Sequence, residues 1–327
     1  MTGHTDSPVV CAWGGGVDST AMLVEMVESG QRVDVVLFAD TGNEREATYA
    51  YIDLFTAWLQ ARGVLVVVVR YTPTNTKHFP PYKTLLENCL TNGTLPSIVF
   101  GHGTCSLKWK VAPQNKWTEA WAPAKACWAA GGKVTRLIGY DCSPADNRRY
   151  SHSQTLPADD RYVYRYPLRE WGWLRSDCED RIIRAGLPVP PKSSCTFCSA
   201  SKPSEIRALS PVELRRIVLM EARAKPRLRN VDGLWRKPVK GLRGAVPRPG
   251  SMTEFIREQG LLPAAEVDAI IAAAPQALVR WQDAVAGDPN RPDLKQWLDL
   301  FDRTLELGLD APGTAPLFGD PSVRAAA

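Results

Sequence analysis

Between residues 8 and 71 the hydrophobic period alternates along the chain, and that alternation narrows the fold more than any other feature. Residues 8–13 are a short apolar run that predicts a buried strand. Residues 21–29 carry apolar side chains at helical spacing, with Gly30 placed as a C-terminal cap. A second strand is predicted over 33–39, an amphipathic helix over 44–62, and a valine-rich third strand over 64–71. A fourth strand is predicted at 134–140. Strand–helix–strand repetition of this kind predicts an α/β fold built on a doubly wound parallel sheet. The valine run suits a parallel strand covered on both faces. Ligands in such sheets bind at the carboxyl ends of the strands.

The rest of the chain is less regular. A long excursion, 72–133, holds predicted helices at 82–90 and 111–121. Beyond residue 150 come a helix at 177–185, a proline- and cysteine-bearing loop at 188–201, and a helix at 211–224. A Gly/Pro/basic stretch at 230–250 has no period. The C-terminal region reads as helices at 252–258, 266–274, 276–286 and 294–307, with a frayed tail at 312–327. The content of 44% hydrophobic and 23% charged residues excludes a disordered, collagen-like or coiled-coil chain. The longest aliphatic run, 64–69, falls far short of a membrane span, and the first residues lack the basic and apolar regions of a signal peptide. The expectation is a cytoplasmic protein with no membrane partner. Its eight cysteines are too few for a disulfide scaffold and read as thiols or metal ligands.

Gly14-Gly15-Gly16-Val17-Asp18-Ser19-Thr20 follows the first strand and opens the first helix. Three glycines let backbone N–H groups approach an anion, the helix N-terminus adds its positive dipole end, and the Ser19 and Thr20 hydroxyls can donate to phosphate oxygens. No lysine follows the glycines, so this is not a Walker loop, and it does not match G-x-G-x-x-G. A plain strand-to-helix turn with Asp18 or Ser19 as cap is the competing reading.

The turn resembles the PP-loop, Ser-Gly-Gly-x-Asp-Ser, of the adenine nucleotide α-hydrolase (ATP pyrophosphatase) superfamily, with Gly14 standing where that family has serine. Further segments are similar to the phosphoadenylyl-sulfate (PAPS) reductase branch: Asp40-Thr41-Gly42 after the second strand, Cys105 with Lys108, Lys110 and Pro113, Gly139-Tyr140-Asp141 with Arg148-Arg149, Tyr166-Pro167-Leu168 with Trp171, and Cys195-x-x-Cys198. The resemblance covers about residues 8–210 and leaves 211–327 unexplained. It implies a nucleotide-binding domain with a cysteine loop at 1–210, followed by a basic segment and a mainly helical extension at 211–327. It further implies that ATP is cleaved between its α and β phosphates, with Mg²⁺ held partly by Asp18. Gly14, Gly15, Gly16, Asp18, Ser19, Thr20, Asp40, Gly139 and Asp141 would contact the nucleotide, and Asp18, Lys108 and Arg148 would be catalytic.

Two thiols spaced as in Cys195-x-x-Cys198 can grip one metal or cluster. The resemblance implies a [4Fe-4S] cluster on Cys105, Cys195 and Cys198, the fourth iron being open or held by Cys89. Zinc on His102, Cys105, Cys195 and Cys198 is the rival composition. Residues 201–250 hold thirteen Lys or Arg against four Asp or Glu, whereas the whole chain is only +5. Trp235 lies inside this basic run, which suits phosphate tracking plus a stacking ring on tRNA or DNA. A solvated, salt-bridged surface is the bland alternative.

Three functions remain open on sequence. One is an ATP-dependent iron–sulfur enzyme that adenylates a substrate for sulfur transfer or nucleic-acid modification. A sulfonucleotide reductase is the second; the resemblance places its nucleophilic cysteine in a C-terminal Glu-Cys-Gly-x-His segment, and no cysteine follows Cys198. The third is a non-catalytic nucleotide-binding protein with a structural zinc site.

Overall fold

Five strands form one parallel sheet: β1 (Val9–Trp13), β2 (Val35–Asp40), β3 (Leu65–Arg70), β4 (Val134–Leu137) and β5 (Tyr162–Arg165). Their order is β3-β2-β1-β4-β5. The structure, a computed structural model, describes residues 7–241, 246–287 and 291–299. Alternate residues of the strands face opposite cores, as the pleat requires. Cys11, Trp13, Val36 and Phe38 pack with α1 (Val17–Glu28), with α2 (Glu46–Gln60) and with Cys178 and Ile182 of the helix Arg175–Arg184. Val10, Val35, Leu37 and Ala39 pack on the other face with Ala124 and, beside it, Trp117, Trp121 and Trp128, from the helices Ala112–Ala120 and Ala122–Ala129 and the residue between them. With helices on both faces, the sheet is the doubly wound α/β architecture expected.

Two details differ from expectation. β3 borders only β2, so it is an edge strand, and Leu65 and Val68 are about half exposed. A valine run records β propensity but does not distinguish a central strand from an edge. β5 has no counterpart among the predicted strands; its four residues are half polar or exposed and present no apolar run.

The chain divides into two compact units: Met1–Tyr71 with Ser106–Ser194, which holds the sheet, and Thr72–Cys105 with Cys195–Ala327. The resemblance implies a single cut after residue 210, whereas these units interleave. The second unit is mainly helical, with a two-stranded antiparallel sheet of His78–Phe79 and Val279–Arg280. Its centre is the helix Pro211–Ala224, whose Leu214, Ile217, Val218 and Met220 are buried, and which packs against Leu85–Thr91, Met252–Glu258 and Ala264–Ala273. The predicted C-terminal helix lies partly outside the described residues, and the tail 312–327 wholly so. Among the described residues no helix is long and apolar enough to cross a membrane.

Candidate functional site

The glycine turn stands at the carboxyl end of β1, where the sheet reverses its winding between β2 on one side and β4 on the other. That is the switch point at which open α/β sheets leave a crevice for ligands. Gly15 adopts φ +70°, which makes the turn possible without strain. Gly16 is the N-cap of α1 and offers no side-chain cap, so the first N–H groups of α1 have no side-chain acceptor at that position. Ser19 Oγ lies 3.4 Å from both Gly14 N and Gly16 O. A Cβ on Gly14 would meet nothing within 4 Å, so the turn faces open space there.

Gly139, just beyond β4, closes the other wall. A Cβ at this position would lie 2.7 Å from Ser19 Cα and 2.8 Å from Ser19 N. Only glycine allows the two backbones to approach this closely. From further along the sheet unit, the Ser193 hydroxyl donates to Gly14 O.

Asp18, in the first turn of α1, is salt-bridged to Arg175 at the start of the helix Arg175–Arg184. Arg175 Nη1 stands 3.1 and 3.2 Å from the two carboxylate oxygens. Burial pushes the Asp18 carboxyl up to about 6; Arg175 opposes the shift, and Asp141 and Asp146 add to it. Both of those acids are buried. Asp141 Oδ1 accepts from Ser143 N at 2.9 Å, and Asp146 accepts from Asp141 N at 3.3 Å and from Arg149 Nη1 at 3.2 Å. Burial likewise raises the Asp146 carboxyl.

The other expected site residues fall elsewhere. Thr20 is fully buried, and its Oγ1 accepts from Trp13 Nε1 at 3.0 Å, so this hydroxyl faces the core and not the turn. Asp40 ends β2 with its carboxylate already engaged, accepting from Gly42 N and Tyr49 Oη at 2.7 Å and from Arg70 Nε at 2.8 Å. These bonds fix a turn and a cross-strand pair. Lys108 lies in a π-helical turn, with Nζ 4.9 Å from the Tyr71 ring centre. Arg148 is exposed on the helix Pro144–Gln154, where its neighbour Arg149 makes the contact to Asp146. No sequence motif marks Arg175, Asp146 or Ser193.

Cys89, Cys105, Cys195 and Cys198 all belong to the second compact unit. Cys195 and Cys198 bracket a tight turn closed by Cys198 N donating to Cys195 O at 3.0 Å. Cys105 N donates to Ser97 Oγ at 2.7 Å. Cys89 is buried in Leu85–Thr91; burial pushes its thiol up, and Cys195 and Cys105 contribute to the shift. The donors have the right chemistry for a cluster. Even so, among the described residues no group of three or more His, Cys, Asp or Glu side chains is arranged to hold a metal ion. As they stand, neither the thiols, alone or with His102, nor Asp18 with its acidic neighbours forms such a group; a Mg²⁺ held by one carboxylate and the phosphates of a nucleotide needs none.

The stacking role expected of Trp235 is corrected. Its ring is buried, packs edge-on against Phe255, and donates from Nε1 to Ser201 O at 2.9 Å. Arg236, Lys237 and Lys240 are exposed beside it, with Lys237 paired to Asp232 at 3.1 Å.

Fold and site together define an α/β protein whose glycine turn opens a helix at the switch point of a parallel sheet. No protein-family model and no curated protein sequence matches the chain. Among solved structures it is similar to the U34-tRNA thiolase NcsA from Methanococcus maripaludis with its [4Fe-4S] cluster, at 14% identity and a TM-score of 0.35, covering 58% of this chain and 59% of that one. At that level the likeness says nothing of this chain's chemistry, and the fold class stands on the sheet itself.

Proposed function

We propose that this protein is an ATP-dependent enzyme of the PAPS reductase-like branch that cleaves ATP between the α and β phosphates and adenylates a substrate for sulfur transfer or nucleic-acid modification. The observation that carries the reading is the glycine turn at the carboxyl end of β1, walled by Gly139 from the end of β4. Such a crevice suits a nucleotide, and the N-terminus of α1 favours its phosphates. In this reading the backbone N–H groups of the turn and the Ser19 hydroxyl hold phosphate oxygens and stabilise the charge that develops when pyrophosphate leaves. ATP enters with Mg²⁺, and no step is assigned to the metal.

The test is incubation with ATP and Mg²⁺, with the products separated. AMP plus pyrophosphate supports the reading; ADP plus phosphate, or no turnover, overturns it. Asp18→Ala is expected to abolish pyrophosphate release while the circular dichroism spectrum stays unchanged. Wild-type turnover by that variant would remove Asp18 from the mechanism.

The cofactor part of the reading is a [4Fe-4S] cluster on Cys105, Cys195 and Cys198, with Cys89 as the fourth ligand. Their membership of one compact unit supports it, as does the contribution of Cys195 and Cys105 to raising the Cys89 thiol. These thiols would have to draw together on the metal. Replacing Cys105, Cys195 or Cys198 singly with serine is then expected to remove most of the bound iron, and each by about the same amount, because a shared site fails as a unit. Iron retained in full by Cys195→Ser would end the cluster hypothesis, and His102→Ala should matter only if zinc is the metal. The acceptor is proposed to be tRNA or DNA contacted through the exposed basic residues of 201–250.

A further inference from the structure

The arrangement around Asp18 does not suit a metal ligand. Each acid of the trio is already served by the protein: Asp18 by Arg175, Asp146 by Arg149 and the Asp141 N–H, and Asp141 by the Ser143 N–H. The three carboxylates do not together form a cation site among the described residues. What Asp18 holds in place instead is a guanidinium. Arg175 Nη1 lies between both Asp18 oxygens, and Nε donates to Glu179 Oε1 at 3.0 Å, one helical turn further on. Two anchors from different helices fix the plane of the group. An Arg fork has five N–H donors; among the described residues Nη2 has no hydrogen bond to the protein, and the side chain is about half exposed. The charge is thus fixed at the first turn of α1, and its remaining donors are available to an anion.

We infer that Arg175 is the cationic group that binds the nucleotide's phosphates at the glycine turn, and that Asp18 is a positioning residue that holds Arg175 there. The inference rests on the nucleotide reading above and changes what Asp18 does within it. A planar guanidinium pairs with two phosphate oxygens at once, whereas lysine brings only a point charge. Arg175 and Asp18 therefore act as one unit in recognising a polyphosphate, independently of the base and sugar.

The experiment is calorimetric titration of the full chain with ATP and with adenosine, in EDTA and in Mg²⁺. Arg175→Ala, Arg175→Lys, Asp18→Asn and the Asp18→Asn/Arg175→Ala double variant are compared with wild type, and near-UV circular dichroism checks each fold. Arg175→Ala is expected to weaken ATP binding in EDTA by about tenfold to a hundredfold, the range of a charge-assisted bond, and to leave adenosine binding unchanged. Arg175→Lys should recover only part of the loss. Asp18→Asn should weaken ATP by a smaller factor, and the double variant should bind no worse than Arg175→Ala alone. The inference is overturned if Arg175→Ala binds ATP as wild type does, or if the two substitutions add independently. It is also overturned if wild type binds ATP only with Mg²⁺ and Asp18→Asn removes that dependence; the nucleotide reading would survive this, with Asp18 returned to the metal. If wild type binds neither ligand under any condition, both the inference and the reading beneath it fall. Should Arg175→Ala not fold, the Arg175→Lys series with ATP and adenosine decides.

Discussion

Glu221→Ala is expected to destabilise the second compact unit by about 4 kcal/mol, from the desolvation of buried donors left unpaired at roughly 1–3 kcal/mol each. Glu221 lies in the last turn of Pro211–Ala224 and is buried. Its Oε1 accepts from Leu234 N at 2.6 Å and Met252 N at 3.0 Å; its Oε2 accepts from Thr253 N at 2.8 Å and Ser251 Oγ at 2.5 Å. Met252 and Thr253 open the helix Met252–Glu258, so the carboxylate caps the end of another helix, where negative charge is favoured. Ser251 extends the network, accepting from Glu254 N at 3.2 Å. Gly233 shows how tightly the nest is closed: a Cβ there would lie 2.4 Å from Glu221 Oε1. Alanine would strand three backbone donors without admitting water. Glutamine keeps the volume but turns an NH₂ group toward N–H donors, so Glu221→Gln should recover only part of the loss. Urea denaturation followed by tryptophan fluorescence measures both, and a Glu221→Ala midpoint equal to wild type would refute the account. Against a typical domain stability of about 5–15 kcal/mol, a loss of this size leaves the unit marginal.

Gly139→Ala is expected to weaken ATP binding by at least about tenfold and to cost about 1–3 kcal/mol in stability, the usual range for overpacking. The added methyl would press on the Cα and N of Ser19 at 2.7 and 2.8 Å. These are backbone atoms at the start of a packed helix and cannot turn aside. The strand end or the glycine turn must move, and either shift disturbs the N–H groups proposed to hold phosphate. Gly14→Ala is the control for the fold, since a Cβ at Gly14 meets nothing within 4 Å. It should melt as wild type does. Thermal melting and ATP titration of the two variants separate the effects; unchanged ATP affinity in Gly139→Ala would detach Gly139 from the site.

Much of the sheet could be read in the sequence because β1 and β2 are largely buried and announce themselves as apolar runs, and β4, though it carries Thr135 and Arg136, leads into the apolar Leu137-Ile138. β5 could not, because an edge strand of four residues with Tyr164 and Arg165 at its end has no period to detect. The glycine turn was legible because its chemistry is contiguous in sequence. Arg175 reaches Asp18 across 157 residues and Ser193 reaches Gly14 across 179, separations at which spacing carries no signal. Trp235 misled in the opposite sense. A tryptophan amid lysines and arginines suggests an exposed ring, yet Phe255 and Ser201 O give it a buried seat that local composition does not reveal. Asp40 shows the same limit: the Asp-Thr-Gly pattern marks the strand end, but Arg70 and Tyr49, which occupy the carboxylate, come from the neighbouring strand and the following helix.

The interleaving of the two units bears on how the protein is made. Emerging from the ribosome, the chain completes β1 to β3, then passes through 72–105 before it returns with Ser106 to supply β4 and β5. The sheet can therefore close only once synthesis has passed residue 165. The helix Leu85–Thr91 has a longer wait, because the helix it packs against, Pro211–Ala224, is translated more than a hundred residues later. Until then its Leu85, Leu86, Cys89 and Leu90 stay exposed on the nascent chain, an apolar segment for chaperones to cover. Truncation at residue 210 would make that state permanent.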